Sequence, residues 1–134
     1  IAPKVIYDSN LAKEPGFIPI NRDCKTPHEN IFAVGDVTSL VVTNSMAVPK
    51  AGIFAEGEGI AVAKNIVLKL ESKESSVLFD GKGGCFLESG RDTASIIEVD
   101  MFAEPKPSTY LTESTKDNLS KKLDFEKERF SKWL

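Results

Sequence analysis

The sequence predicts a mixed fold, between α/β and α+β. A buried strand and a long helix would precede a small antiparallel meander and a C-terminal amphipathic helix. Three observations favour it: a continuous apolar run at residues 31–34, a helical repeat over residues 49–70, and short β-branched segments separated by glycine-rich turns after residue 76. With 134 residues, of which 41% are hydrophobic, the chain is long enough to bury a core.

The composition excludes several classes of function. The net charge is −3, the isoelectric point is near 5.2 and no basic stripe occurs, so we expect no nucleic-acid partner. No apolar run reaches the roughly 20 residues that a membrane-spanning helix needs. Two cysteines are too few for a disulfide scaffold, which indicates reduced thiols and a cytoplasmic location. No signal peptide is found at the start of the sequence. Because the first residue is Ile1 instead of Met, we expect the chain to be a piece of a longer protein.

The apolar run at residues 31–34 is followed directly by Gly35 and Asp36. A short run without polar alternation fits a strand that is buried on both faces. Ligands of open α/β sheets lie beyond the carboxyl ends of strands, where the Asp36 carboxylate can accept hydrogen bonds from ligand hydroxyls. Gly35 would let the backbone approach such a ligand closely. An ordinary turn is the commoner explanation of such a pair.

A helix is predicted over residues 49–70, with Pro49 in the first turn, where its missing N–H is not needed. Two rows of apolar residues repeat every seven positions and form one stripe: Ile53, Ile60, Val67 and Phe54, Ala61, Leu68. Gly52, Gly57 and Gly59 would each cost about 1 kcal/mol relative to alanine in an ordinary helix. Their presence indicates close packing against a neighbour.

The start of this helix, Lys50-Ala51-Gly52, is a candidate anion site. A helix N-terminus offers unpaired N–H groups and about half a positive charge, to which Lys50 adds a full charge. The alternative is a helix end that simply packs on the sheet or on another helix. Glu56 and Glu58 are expected to be exposed helix charges, which is the commoner case, and the alternative is that they approach the ligand.

We predict two domains: the first comprises residues 1–76 and the second residues 77–134. Strands are expected at residues 77–79, 85–87 and 93–99, followed by a stiff proline-containing spacer at residues 104–107. Residues 114–134 form a charged helix with Leu119, Leu123, Phe130 and Trp133 near one face. That helix either lies in a membrane interface or packs on the protein's own core.

Residues 26–37, TPHENIFAVGDV, followed by PKAGIFAEGEG at residues 49–59, resemble the second FAD-binding region of the pyridine nucleotide-disulfide oxidoreductase superfamily. Within it, the similarity is greatest to sulfide:quinone oxidoreductases of archaeal type, with type II NADH:quinone oxidoreductases next. The resemblance implies the C-terminal part of a flavoprotein with two dinucleotide-binding domains and FAD as cofactor. Asp36 would bond the ribityl chain, and Lys50, Ala51 and Gly52 would face the N1/C2 edge of the flavin. The cofactor-binding residues are then Gly35, Asp36, Val37, Lys50, Ala51 and Gly52.

Residues 79–88, 102–107 and 123–129 extend the similarity to the end of the chain. It implies that Cys85 lies beside the flavin and, with a partner cysteine, carries sulfide-derived sulfur. Sulfide would attack the disulfide, and electrons would pass through the flavin to a quinone. A thiolate is the competent nucleophile. Without the resemblance, Cys85 would be a small core residue. Cys24 is expected to be structural, and His28 a solvated loop residue.

The similarity covers only part of such an enzyme. No Gly-x-Gly-x-x-Gly motif follows a strand, and no partner cysteine is identified. We therefore expect the 134 residues alone to be inactive, to bind FAD weakly or not at all, and to self-associate through exposed apolar surface.

In the intact enzyme the partners would be sulfide, a quinone and the remainder of the flavoprotein, with a peripheral contact to the cytoplasmic membrane as one option. Two alternatives remain open. One is the same portion of a type II NADH:quinone oxidoreductase, which needs no cysteine beside its flavin. The other is a non-catalytic interaction or membrane-docking module.

Overall fold

The structure is a computed structural model that describes residues 2–12, 16–43, 46–74, 77–90 and 92–134. The chain divides into two compact units, Ile1–Lys82 and Gly83–Leu134. The described residues form helices and three small sheets, so the mixed α/β class predicted from the sequence is confirmed at that level. The division expected after residue 76 falls inside the first unit.

The first unit is built around one long helix. It contains the short helix α1 (Lys4–Asp8), the parallel pair β1 (Ile18–Pro19) and β2 (Thr38–Ser39), the antiparallel pair β3 (Val41–Thr43) and β4 (Met46–Ala47), and helix α2 (Gly52–Leu70). A 3₁₀ turn, Gly35–Val37, leads directly into β2 and packs against α2.

The strand expected at residues 31–34 is not formed, and that prediction was wrong. Phe32 makes a single antiparallel bridge with Lys25, while Ile31 and Val34 are 40% and 38% exposed. Asn30, with φ 62°, turns the chain immediately before this segment. An apolar run indicates burial, but a strand also needs a neighbour along its whole length. Here residues 24–26 pair with the segment through the Thr26 N–H to the Ile31 carbonyl and the Ala33 N–H to the Cys24 carbonyl, which gives one bridge and no strand.

Helix α2 ends at Leu70 as predicted but begins at Gly52 instead of Pro49. Ala51, the residue before the helix, is extended with φ −153° and ψ 143°. Pro49 therefore lies in the preceding loop. The helix therefore starts directly after this loop, and it packs against the 3₁₀ turn Gly35–Val37.

The buried face of α2 differs from the predicted apolar stripe. Phe54 and Ala61 are buried as expected, and the residues that complete the face are polar, Glu58 and Asn65. Two residues of the predicted apolar stripe, Ile60 and Val67, are 46% and 53% exposed. Two polar side chains thus occupy positions where the helical period alone favours apolar ones.

Asn65 and Arg22 hold the segment that follows α2. The fully buried Asn65 amide donates to the Val77 carbonyl at 2.8 Å and accepts from the Val77 N–H at 2.9 Å. The Phe79 N–H donates to the Arg22 carbonyl at 2.7 Å, and the Arg22 guanidinium donates to the Phe79 carbonyl. Residues 77–79 therefore form no strand, contrary to the prediction, because their backbone groups bond to side chains and to a loop.

Phe79 explains one glycine of α2. Its ring is 2% exposed and meets the Phe54 ring edge-on at 6.1 Å between centroids. A Cβ at Gly57 would lie only 2.8 Å from this ring, whereas a Cβ at Gly52 or Gly59 would meet nothing within 4 Å. Close packing therefore accounts for Gly57 alone.

The second unit contains a three-stranded sheet and a helix. The strands lie in the order β5 (Lys82–Gly90), β6 (Thr93–Asp100) and β7 (Ser108–Leu111), and β6 and β7 are antiparallel. The strands expected at residues 85–87 and 93–99 fall within β5 and β6. The third strand comes after the proline-containing residues 104–107, a position that the sequence analysis did not predict.

Helix α3, Lys116–Trp133, packs on β6 through its first turns. The Thr115 hydroxyl accepts the Asn118 N–H at 3.1 Å and caps the helix. Further along, Leu123, Phe130 and Trp133 are 46%, 59% and 65% exposed. Only the beginning of α3 is buried on its own unit. In the part of the chain that the structure describes, no helix has the length and apolar character required to cross a membrane.

Candidate functional site

Residues expected to hold the flavin meet at one hollow in the first unit. We call it the α2 hollow, an open depression at the start of α2. Gly35 and Asp36 line it from the 3₁₀ turn, and Lys50 and Ala51 line it from the loop before α2. Its remaining lining residues are Thr38, Val48, Pro49, Phe54, Ala55 and Glu58. The predicted residues Val37 and Gly52 flank the hollow in sequence without lining it.

The 3₁₀ turn owes its shape to Gly35. This residue has φ +77°, a conformation that side chains rarely adopt, and a Cβ there would lie 3.4 Å from the Cβ of Ala55. The Thr38 hydroxyl donates to the Gly35 carbonyl at 2.8 Å and closes the turn. Asp36, the next residue, is exposed at the rim of the hollow.

Glu58 also lines this site, which was the less common of the two alternatives for this residue. Expected to be an exposed helix charge, it is only 2% exposed, and its carboxylate accepts the Gly35 N–H at 2.6 Å. Burial raises the pKa of Glu58, and repulsion by Asp36 acts in the same direction, whereas the Gly35 hydrogen bond and Lys50 lower it. The signal was its position, four residues after Phe54 and three before Ala61, on the face predicted to be buried.

Lys50 supplies the positive charge of the hollow. Its ammonium donates to the Thr38 carbonyl and lies 4.6 Å from the centroid of the Phe17 ring. Although the residue as a whole is exposed, desolvation lowers the pKa of Lys50, and attraction by Glu58 and Asp36 opposes that shift. The hollow thus combines one ammonium with two carboxyl groups.

The start of α2 has no side-chain cap and leaves space beside Gly52 for the atoms of a ligand. Ala51 provides no side-chain cap, and the position of a Gly52 Cβ has nothing within 4 Å. Unpaired N–H groups and the positive end of the helix dipole favour a carbonyl edge or an anionic group there. The exposed Asp36 carboxylate can accept hydrogen bonds from ligand hydroxyls, so the hollow offers contacts for a ligand that combines hydroxyls with a carbonyl or anionic edge.

Cys85 belongs to β5 in the second unit and is exposed. The interpretation of Cys85 as a small core residue is therefore wrong. Its neighbour Phe86 contacts Phe125 of α3 at 5.8 Å between ring centroids. An exposed thiol on a strand is accessible to soluble reagents.

Cys24 has the opposite character. It is fully buried, and its thiol donates to the Glu58 carbonyl at 3.8 Å. Burial raises the pKa of Cys24 to about 12, with smaller contributions from Glu58 and Asp23. The thiol therefore stays protonated at neutral pH, which suits the structural role expected for it. His28 is exposed, as predicted, and no metal-binding cluster occurs among the described residues.

No known protein family matches the chain, and no curated protein matches it at significant similarity. What the residues define is a small mixed α/β protein whose long helix begins at an open hollow. That hollow carries an ammonium, an exposed carboxylate and a buried carboxyl group.

Proposed function

We propose that this chain is the C-terminal part of an FAD-dependent sulfide:quinone oxidoreductase, in which the α2 hollow receives the N1/C2 edge and the ribityl chain of the flavin. One observation carries the proposal: Asp36 and Lys50, which come from the 3₁₀ turn and from the loop before α2, line the same hollow beside an uncapped helix start. The resemblance of residues 26–37 and 49–59 to a flavin-binding region names these same positions.

The charges of the hollow suit this ligand. Bound FAD would supply the redox chemistry, taking up electrons and gathering negative charge at its N1/C2 edge. Lys50 and the positive end of α2 would stabilise that charge, because a preorganised dipole acts strongly where water is excluded. Asp36 would accept hydrogen bonds from the ribityl hydroxyls. Replacing Asp36 with alanine should then lower FAD affinity about 10-fold or more, as expected for hydrogen bonds to a charged group.

Cys85 is the residue on which the proposal of sulfide as the substrate rests, through the resemblance of residues 79–88. In this proposal sulfide attacks a disulfide between Cys85 and a cysteine from the remainder of the protein, forming a persulfide and releasing the other sulfur as a thiolate. The flavin, when bound, would supply the acceptor for this electron pair, and a quinone would be the final oxidant. Exposure of Cys85 on β5 supports the proposal, since a small soluble nucleophile must reach that sulfur.

Exposed apolar residues support the idea that other surfaces cover this chain. Ile60, Val67 and Leu70 of α2 are 46%, 53% and 81% exposed, more than a helix of a self-sufficient domain usually leaves open. In the proposal the remainder of the flavoprotein covers them, and the isolated chain self-associates and binds FAD weakly. Analytical ultracentrifugation of the 134 residues should show concentration-dependent dimers or larger species. A strict monomer at high concentration would count against this.

The decisive experiment uses the full-length flavoprotein. Cys85→Ala should abolish sulfide-dependent quinone reduction while FAD remains bound, whereas Cys24→Ala should keep the turnover of the folded enzyme, because Cys24 is buried and protonated. Unchanged sulfide turnover in Cys85→Ala would overturn the redox role. Quinone reduction that requires NADH and ignores Cys85 would assign the type II NADH:quinone oxidoreductase instead. If the full-length protein contains no flavin, the non-catalytic interaction or membrane-docking module is the alternative that remains.

A further inference from the structure

Glu58 is a buried carboxyl group that lines the α2 hollow and has no part in the proposed contacts to the flavin. We infer that Glu58 is a positioning residue: it holds the turn that presents Asp36, and its negative charge sets how readily the hollow accepts further negative charge. The second half rests on the proposed function, because it concerns electrons added to a flavin bound there. The first half concerns the chain alone.

The positioning role follows from the hydrogen bonds of the turn. Gly35 donates its N–H to Glu58 at 2.6 Å, and its carbonyl accepts from the Thr38 hydroxyl at 2.8 Å. Both backbone polar groups of Gly35 are thereby fixed, and the N–H is bonded to a side chain of α2. Since Asp36 follows directly, any movement of Gly35 relative to the helix moves the Asp36 carboxylate relative to Lys50.

The charge role follows from the groups that act on Glu58. Lys50 attracts its negative charge and Asp36 repels it, while burial disfavours the ionised form. Cys24 lies at the Glu58 carbonyl, but its thiol is neutral. With Glu58 ionised, two carboxylates face one ammonium. With Glu58 protonated, the carboxylate of Asp36 and the ammonium of Lys50 balance. Negative charge added to the hollow therefore favours uptake of a proton by Glu58.

Two variants separate the two roles. Glu58→Gln keeps an oxygen that can accept the Gly35 N–H but carries no charge, whereas Glu58→Ala removes both. Glu71→Gln is the matched control, because it neutralises a carboxylate of the exposed ion pair with Lys73 at the other end of α2.

The first test needs no flavin. The Gly35 amide resonance is followed by ¹H–¹⁵N NMR between about pH 4 and pH 9 in an Asp36→Asn background, so that the neighbouring carboxylate does not titrate. It should shift with a midpoint above 4.5, the ordinary value for a glutamate, because burial raises the Glu58 pKa. Glu58→Gln should abolish that titration but keep the downfield position, Glu58→Ala should lose both, and Glu71→Gln should change neither. A Gly35 amide that titrates identically in Glu58→Gln would overturn the positioning role.

The second test measures the flavin midpoint potential of the FAD-loaded full-length protein, at a pH where the first test shows Glu58 to be ionised. Removing one carboxylate should favour the reduced form about 10-fold, equivalent to a rise of about 30 mV for a two-electron couple. The dependence of the potential on pH should flatten at the same time, and Glu71→Gln should leave the potential unchanged. If FAD binds and Glu58→Gln keeps the wild-type potential and pH dependence, the charge role is wrong and the proposed function stands. If the wild-type protein binds no FAD, the proposed function and the charge role fail together.

Discussion

Alanine at Gly57 is expected to destabilise the first unit, although alanine at Gly59 of the same helix should stabilise it. A Cβ at position 57 would lie 2.8 Å and 3.1 Å from two carbons of the Phe79 ring, whereas a Cβ at position 59 meets nothing within 4 Å. Phe79 cannot move aside easily, because it is 2% exposed and its N–H and carbonyl are both bonded to Arg22.

The magnitude follows from two opposing effects. Alanine is favoured over glycine in a helix interior by about 1 kcal/mol, and this gain applies at both positions. Overpacking a well-filled core costs about 1–3 kcal/mol, and this loss applies at Gly57 alone. The gain cancels when the variants are compared, so Gly57→Ala should be less stable than Gly59→Ala by about 1–3 kcal/mol.

The assay is urea unfolding followed by circular dichroism, combined with amide hydrogen exchange of the α2 peptides, which reports the first unit specifically. Phe79→Leu removes part of the ring, and in that background the penalty at Gly57 should shrink. If Gly57→Ala is as stable as Gly59→Ala, Phe79 does not press on the helix and the packing described for residues 77–79 is wrong.

Three further outcomes test the same structure. Iodoacetamide at neutral pH should label exposed Cys85 and spare Cys24, giving one adduct by mass spectrometry in the folded chain and two in urea; equal labelling of both in the folded chain would contradict the burial of Cys24. Asn65→Leu leaves the N–H and carbonyl of Val77 without their partner and should lower the free energy of unfolding by about 2–4 kcal/mol in urea titrations. A loss below about 0.5 kcal/mol would contradict the two hydrogen bonds between Asn65 and Val77. Folding favours protonated Glu58, so the free energy of unfolding should fall as the pH rises from 4.5 through its raised folded pKa and then level off. Glu58→Gln should lack that fall, and thermal melts at stepped pH that show it unchanged would contradict the burial of the charge.

Local patterns predicted those elements whose formation depends on nearby residues. Helix α2 ends at Leu70 as its period indicates, and the β-branched run inside β6 forms a strand in place. The start of α2 moved because Pro49 tolerates a loop as well as a first helical turn. The strand expected at residues 31–34 failed because its formation depends on a partner that an apolar run does not specify.

The site was predicted in part for the same reason. Asp36 and Lys50 carry charges whose placement after a turn and before a helix indicates ligand contact, and both line the α2 hollow. The proposed flavin contacts themselves stay a prediction. Glu58 was expected to be exposed because a charged residue on a helix is usually solvated, whereas here a specific donor, the Gly35 N–H, bonds to the buried carboxylate. Such pairing depends on tertiary structure and is not visible in the spacing of residues.

The packing of Phe79 also determines where this chain can be cut. Residues 77–82 follow the long helix, yet they belong to the first unit, and the Phe79 ring fills the space beside Gly57. A fragment that stops at residue 76 would lose the ring and the partners of Asn65 and Arg22, whereas one that stops at Lys82 keeps them. The shorter fragment should therefore bind a synthetic peptide of residues 77–82. Adding that peptide in trans should restore the fold by fragment complementation.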